Sequence, residues 1–327
     1  MTTINTMSMV SIKEVLRAEQ VVYRSIRPTP LLAYKSLSKL TGADIYVKHE
    51  NHLPGGSFKI RGGLNVMHHL KQAGTAGVIT FSMGNHGISI ATAASMTGIE
   101  ATVVVPKGNN PEKNRRIREA GANLVEAGDC FEEAAAVCLQ LQQEKNLYCI
   151  HAANEPHLIN GVGTCFTEIL RELPDVDALI VPIGGGSELA AAVTVCKAMN
   201  PAVEIYAVQA ELAQGAYLSW KAGTILQSPS TTFAGGIATG GAYELPFGIY
   251  KDHLTDFVLL TEDEIKQGMY LALAHTNQVA EGAGAVALMA AVKLGSRLAG
   301  KKVAVQMSGG NESLDCIREV LSIHAGS

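Results

Sequence analysis

Short apolar runs alternate with stretches of helical spacing along most of the chain. The runs at 78–81, 101–105, 123–126, 147–150, 178–182, 203–208, 257–260 and 302–307 have the length and composition of buried strands. Between them, 85–96, 113–120 and 131–143 place apolar residues at helical spacing. Near the start, Ser11-Ile12-Lys13-Glu14 reads as a capping box opening a helix that Pro28 and Pro30 stop. Strands and helices in alternation favour an α/β fold, a mostly parallel sheet wrapped by helices, with ligands at the carboxyl ends of the strands. The glycines and polar residues of chemical interest sit at those ends.

At 327 residues the chain is too long for one small core and suits two domains. No Pro/Gly/Ser-rich linker divides it, so two domains would be joined by crossovers of the chain. With 47% hydrophobic and 17% charged residues it is globular, not disordered. A net charge of −4 gives no general attraction to nucleic acid or to an anionic membrane, so any anion must be held locally. The six cysteines (Cys130, Cys138, Cys149, Cys165, Cys196 and Cys316) show no Cys-x-x-Cys pair and no zinc-finger spacing, and read as reduced thiols. The start of the chain lacks a basic and apolar leader, and no apolar run of about 18 residues follows. The expectation is a soluble, cytoplasmic protein.

Four strand ends carry candidate chemistry. In Gly56-Ser57-Phe58-Lys59-Ile60-Arg61-Gly62-Gly63 a lysine sits among small and apolar residues. Burial would lower its pKa and make it a nucleophile or base, and Ser57 could cap a helix beginning near Phe58. The plain alternative is a surface lysine on a first helical turn. In Val181-Pro182-Ile183-Gly184-Gly185-Gly186-Ser187-Glu188 an apolar strand runs into three glycines and a serine, a turn whose N–H groups can cradle a phosphate. It lacks the dinucleotide and P-loop fingerprints, and a purely structural turn would look similar. Ser82-Met83-Gly84-Asn85-His86-Gly87 offers an asparagine and helix-start amides for a hydroxyl and a carboxylate, or simply a helix cap. In Met307-Ser308-Gly309-Gly310-Asn311, Ser308 is placed to bond a ring nitrogen or to cap the last helix.

Together and in this order the four motifs resemble the fold-type II pyridoxal-phosphate enzymes, in the serine/threonine dehydratase and serine racemase branch, from about Pro28 to Asn311. The resemblance extends to Thr29-Pro30-Leu31 and Asn154-Glu155-Pro156. It implies two open, mostly parallel twisted sheets wrapped by helices, like the tryptophan synthase β chain. It also implies a large cofactor-binding domain from 1–70 and 152–327 and a small domain from 71–151. Pyridoxal 5'-phosphate would be held as a Schiff base by Lys59, which also serves as base at the substrate Cα. Phe58 would pack on the ring, Asn85 would bond its hydroxyl, and Gly184, Gly185, Gly186 and Ser187 would hold the phosphate. Ser308 would meet the pyridine nitrogen, and Ser57, Asn85 and His86 would bind the substrate carboxylate. The implied activity is loss of water from a β-hydroxy amino acid of the L-threonine or L-serine type, giving a 2-oxo acid and ammonia. A homodimer acting on a small amino acid, without nucleic-acid or membrane partners, is implied too. A neutral serine at the pyridine nitrogen makes a weaker electron sink than a carboxylate would, which favours prompt elimination.

Several positions depart from the branch. Racemases resembling this chain carry a serine at the position of Met83, and methionine cannot exchange a proton. Gln209 and Gly215 stand where metal-binding acids are expected, so no metal is expected. The loop Thr232-Phe233-Ala234-Gly235-Gly236 has glycine where relatives usually carry an acid, the fourth glycine of the phosphate loop is Ser187, and His151-Ala152-Ala153-Asn154 replaces a proline-containing turn. These details resemble dehydratases of hydroxyectoine use and leave open a less usual substrate such as 3-hydroxyaspartate, phenylserine or a hydroxyectoine derivative. A β-replacement enzyme of the cysteine-synthase type and a non-catalytic relative remain alternatives. His68-His69 cannot both face one metal, and Thr261-Glu262-Asp263-Glu264 reads as a capping box. Glu281 reads equally as a structural residue or one set behind the cofactor ring. The chain ends shortly after Asn311, so no appended regulatory domain is expected.

Overall fold

The computed structural model describes residues 7–324. Helix α1 (Ile12–Val22) precedes strand β1 (Leu31–Ala33), α2 (Lys35–Thr41) and β2 (Asp44–His49). Helix α3 (Lys59–Gln72) then leads into β3 (Gly77–Phe81), α4 (Asn85–Thr97), β4 (Glu100–Val105), α5 (Pro111–Glu119), β5 (Asn123–Glu126), α6 (Phe131–Lys145) and β6 (Tyr148–Cys149). After α7 (Pro156–Glu172) come β7 (Ala178–Pro182), α8 (Ser187–Met199), β8 (Glu204–Ala210), α9 (Gly215–Ala222) and α10 (Glu244–Tyr250). The chain closes with β9 (Asp256–Leu260), α11 (Glu262–Thr276), α12 (Gly282–Leu294), β10 (Lys302–Met307) and α13 (Leu314–His324).

The strands form a six-stranded sheet in the order β1-β2-β10-β7-β8-β9 and a four-stranded sheet in the order β5-β4-β3-β6. Every pairing is parallel except β1 with β2 at one edge. The expected pair of mostly parallel sheets is therefore present, and parallel strands need the helical crossovers that supply their covers. The apolar pattern does not predict β2. Its last two residues, Lys48 and His49, are polar yet fully buried, as is Glu50 just after it.

The charges explain this. Arg61, on the buried helix α3, donates from Nε to Glu50 at 2.6 Å and from Nη1 and Nη2 to Glu168 at 2.6 and 2.9 Å. Lys48 donates to Glu168 at 2.7 Å and to the Thr29 carbonyl at 2.6 Å. Two cations and two carboxylates thus neutralise one another where β2, α3 and α7 meet. Burial alone would raise the Glu168 pKa, but Arg61 and Lys48 overcome it and hold the carboxyl below its ordinary value. The helices α3 and α7 also approach closely, since a Cβ at Gly161 would lie 2.4 Å from the Arg61 carbonyl oxygen.

Capping follows the sequence in part. Thr261 and Glu264 form both arms of the expected box. At Ser11 only one arm exists, because its hydroxyl accepts from the Glu14 N–H while its own N–H donates to Asn160 and Glu14 pairs with Arg17.

Glu168→Gln leaves Arg61 and Lys48 under-compensated and should cost about 3 kcal/mol, the scale of a broken buried pair, read from the urea midpoint at neutral pH. Because the folded pKa of Glu168 is depressed, its contribution is complete above the ordinary glutamate value and is lost as pH falls through the folded value. The acid-side loss of stability should accordingly shrink in the variant.

Candidate active site

The entry to α3 is fixed from the far end of the chain. Ser57 is extended and bridges Gly309, the Phe58 N–H donates to the Ser308 carbonyl at 3.0 Å, and the Gly310 N–H donates to the Gly56 carbonyl at 2.9 Å. The helix begins at Lys59, with Phe58 preceding it and no side-chain cap. Ser57 therefore does not cap it. The serine is buried, with its Cβ packed against Gly309.

A cavity of about 180 Å³ lies between the loops that follow β3, β7 and β10. Lys59, Phe58, Asn85, His86, Gly184, Gly185, Gly186, Ser187 and Ser308 all face it. Lys59 donates from Nζ to Ser187 Oγ at 3.2 Å and lies 4.7 Å from the centre of the Phe58 ring. Burial lowers its pKa, partly opposed by the buried Glu188, whose own carboxyl burial pushes up. Burial thus shifts both groups toward their neutral forms, while their mutual attraction opposes it.

Gly186 takes φ of +88° just before α8, a left-handed conformation that suits glycine. A Cβ at Gly184 would lie 2.3 Å from the Gly236 carbonyl oxygen. The loop is thus pressed against the turn at 235–237, and the first N–H groups of α8 have no intrahelical acceptor. This is an anion cradle beside a lysine amine.

Asn85 opens α4 at the opposite wall. Its amide donates to Glu281 at 2.5 Å and accepts from Asn311 at 2.8 Å, while Asn311 also accepts from Arg116. Glu281 is buried, and burial raises its pKa against the pull of Lys113 and Asn85. His86 is held differently. Thr80 spends its proton on the Ile150 carbonyl at 2.9 Å, so His86 Nε2 must donate to Thr80 Oγ1 at 3.0 Å. Burial and the charge of Lys59 lower its pKa to about 3, leaving a neutral ring whose Nδ1 has no proton to give. Ser308 directs its hydroxyl to the Ala283 carbonyl at 3.3 Å.

Sequence reasoning left out Ser82, Lys113, Glu188 and Tyr243, all on the wall. Ser82 accepts the N–H groups of Gly84 and Gly87 and shapes the turn before α4. Ser82 and Glu188 lay within quoted motifs, but burial, which gives Glu188 its character, is not visible in a first-turn glutamate. His69 stacks on His157 with ring centres 3.8 Å apart. Among the described residues no three His, Cys, Asp or Glu side chains converge as a metal site.

The residues fit pyridoxal phosphate. They combine a buried amine of lowered pKa, an aromatic face, an anion cradle that a Cβ would fill, and a neutral hydroxyl at Ser308. Comparison with known proteins agrees. Residues 22–309 match the family model described as pyridoxal-phosphate dependent enzyme. An L-threonine ammonia-lyase of Thermotoga maritima is 35% identical over 96% of this chain and 79% of that protein. A beta-hydroxyaspartate dehydratase of Paracoccus denitrificans is 32% identical over 93% of this chain and 96% of that protein. The structure of maize serine racemase superposes with a TM-score of 0.91 at 28% identity, covering 97% of this chain and 98% of the other.

Gly184→Ala forces its methyl onto the Gly236 carbonyl. Overpacking of that size should weaken retention of pyridoxal phosphate by about tenfold or more, measured by absorbance after dialysis.

Proposed function

The chain belongs to the pyridoxal-phosphate dependent enzymes, and from that membership we propose a dehydratase that removes water from a β-hydroxy amino acid of the L-threonine or L-serine type, releasing a 2-oxo acid and ammonia. The observation that carries this reading is the enclosed Lys59 amine, lowered in pKa and set against Ser187 at the head of the glycine cradle. The similarity to an L-threonine ammonia-lyase over nearly the whole chain supports it.

When bound, pyridoxal phosphate supplies an electron sink for the pair left at Cα. The chain's residues do the rest. Lys59 would tether the cofactor and, as a free amine, would take the Cα proton on Nζ. The 184–187 loop and the start of α8 would hold the phosphate, and Phe58 would pack on the ring. Asn85, its amide fixed by Glu281 and Asn311, would bond the ring hydroxyl. The N–H groups at the start of α4 hold the α-carboxylate. Ser308, being uncharged, does not stabilise accumulated negative charge on the ring, which suits departure of the β-hydroxyl as water. The released enamine then becomes an imine, which takes up water and yields the oxo acid and ammonia.

Met83 is 42% exposed at the rim of the cavity and carries no transferable proton, which supports dehydration over racemisation. We assign residues 1–70 and 152–327 to a large domain and 71–151 to a small one, as the strand membership of the two sheets supports. The charge balance and six free cysteines support a cytoplasmic enzyme without nucleic-acid or membrane partners, and no described helix is long and apolar enough to cross a membrane. Homodimerisation follows the family resemblance.

Holoenzyme given L-threonine and L-serine should release oxo acid and ammonia in equal amounts; failure with every β-hydroxy amino acid sinks the reading. Lys59→Ala should lose turnover by about a thousandfold or more together with the absorbance of the tethered cofactor. With L-serine, chiral chromatography should find no D-serine, and its steady accumulation would show that another residue does what Met83 does not.

A further inference from the structure

Lys113 is not accounted for by the reaction as described. It stands in the first turn of α5, capped by Asn110, where the positive end of the helix disfavours a cation. Its half-buried side chain lines the cavity and also a surface groove shared with Glu112, Arg116 and Glu312, so it marks the mouth of the site. Its backbone N–H donates to Asn110 at 3.2 Å, but among the described residues its amine makes no ion pair or hydrogen bond.

The neighbouring carboxylates are taken. Glu112 pairs with Arg115 and Arg116, and Glu312 accepts the N–H groups of Gly282 and Ser313. Glu281, whose buried carboxyl feels the charge of Lys113, is bonded to Asn85. Two glycines flank the amine. A Cβ on Gly84 would lie 3.5 Å from Nζ, and one on Gly235 would lie 4.0 Å from it and meet nothing else. The amine therefore bridges the turn before α4 and the 235–237 turn, with open space where a side chain at 235 would be. The start of α4 already offers N–H groups to the α-carboxylate that all substrates share.

We propose that Lys113 binds a second carboxylate, carried on Cβ, and that the substrate class is the β-hydroxy dicarboxylic amino acids. This rests on the dehydratase reading of the same site. The Cα–H and Cβ–OH bonds break and water leaves. The enamine becomes an imine and takes up water, and the products are a 2-oxo dicarboxylate and ammonia.

The test is a specificity ratio on the holoenzyme. kcat/KM is measured for β-hydroxyaspartate and for L-threonine in the native protein, Lys113→Gln and Gly235→Asp. Native protein should prefer β-hydroxyaspartate, and Lys113→Gln should lower the ratio by about 10- to 100-fold, chiefly through KM, as loss of one charge-assisted bond predicts. Gly235→Asp should lower it likewise, since a carboxylate of the chain then occupies the amine. Equal losses for the two substrates, or no change in the ratio, overturn the proposal. Binding separates this from the dehydratase reading: L-aspartate and L-alanine, which carry no β-hydroxyl, are titrated against the cofactor absorbance. Tighter binding of aspartate that Lys113→Gln abolishes upholds the anion site even if no oxo acid is ever released. Equal binding of the two overturns it even if dehydration is found.

Discussion

The fold depends on one buried guanidinium. Arg61 sits two positions after Lys59 on a helix with almost no solvent face, and its donors are divided between Glu50 after β2 and Glu168 on α7. Burying such charges is costly, and only mutual compensation with good geometry makes it tolerable. An arrangement that is stable only when complete also specifies where α3 lies between the two elements. The reactive lysine inherits that placement, because the start of a rigid helix moves only with its body.

The site uses the same desolvation to another end. At Arg61 enclosed charges are matched and kept; around Lys59 they are suppressed. Lys59 and Glu188 are pushed toward their neutral forms, Glu281 toward protonation, and His86 toward a neutral imidazole. Few fixed charges then compete with a phosphate and a carboxylate arriving together. The starts of α4 and α8 face this space, and the backbone N–H groups of a helix start can hold a negative charge without a formal positive one.

What could be read from the sequence followed from backbone requirements. The glycines at 184–186 and the turn at 82–87 are set by close approach and helix starts, and such needs restrict residue type locally. The parallel sheets were legible because strands buried on both faces read as continuous apolar runs. Strand β2 was not, since Lys48 is buried by an interaction with Glu168, far along the chain, and no local pattern encodes that. Ser57 misled for a similar reason: a serine before a helix suggests a cap, but the Ser308 carbonyl and Gly309 hold that segment extended. Lys113 did leave a local sign, a cation in the first turn after an Asn-Pro start, unexplained by helix energetics.

The stitching of residues 56–58 to 308–310 has a consequence for biosynthesis. The floor of the cavity joins an early segment to one of the last, and β10 lies between β2 and β7 in the large sheet. As a nascent chain leaves the ribosome, the four-stranded sheet has all its strands early, whereas the large sheet stays divided until β10 emerges. A truncated chain would display the lysine without its floor. Capture of the cofactor is in this way reserved for a chain translated through β10 and the turn at 308–310.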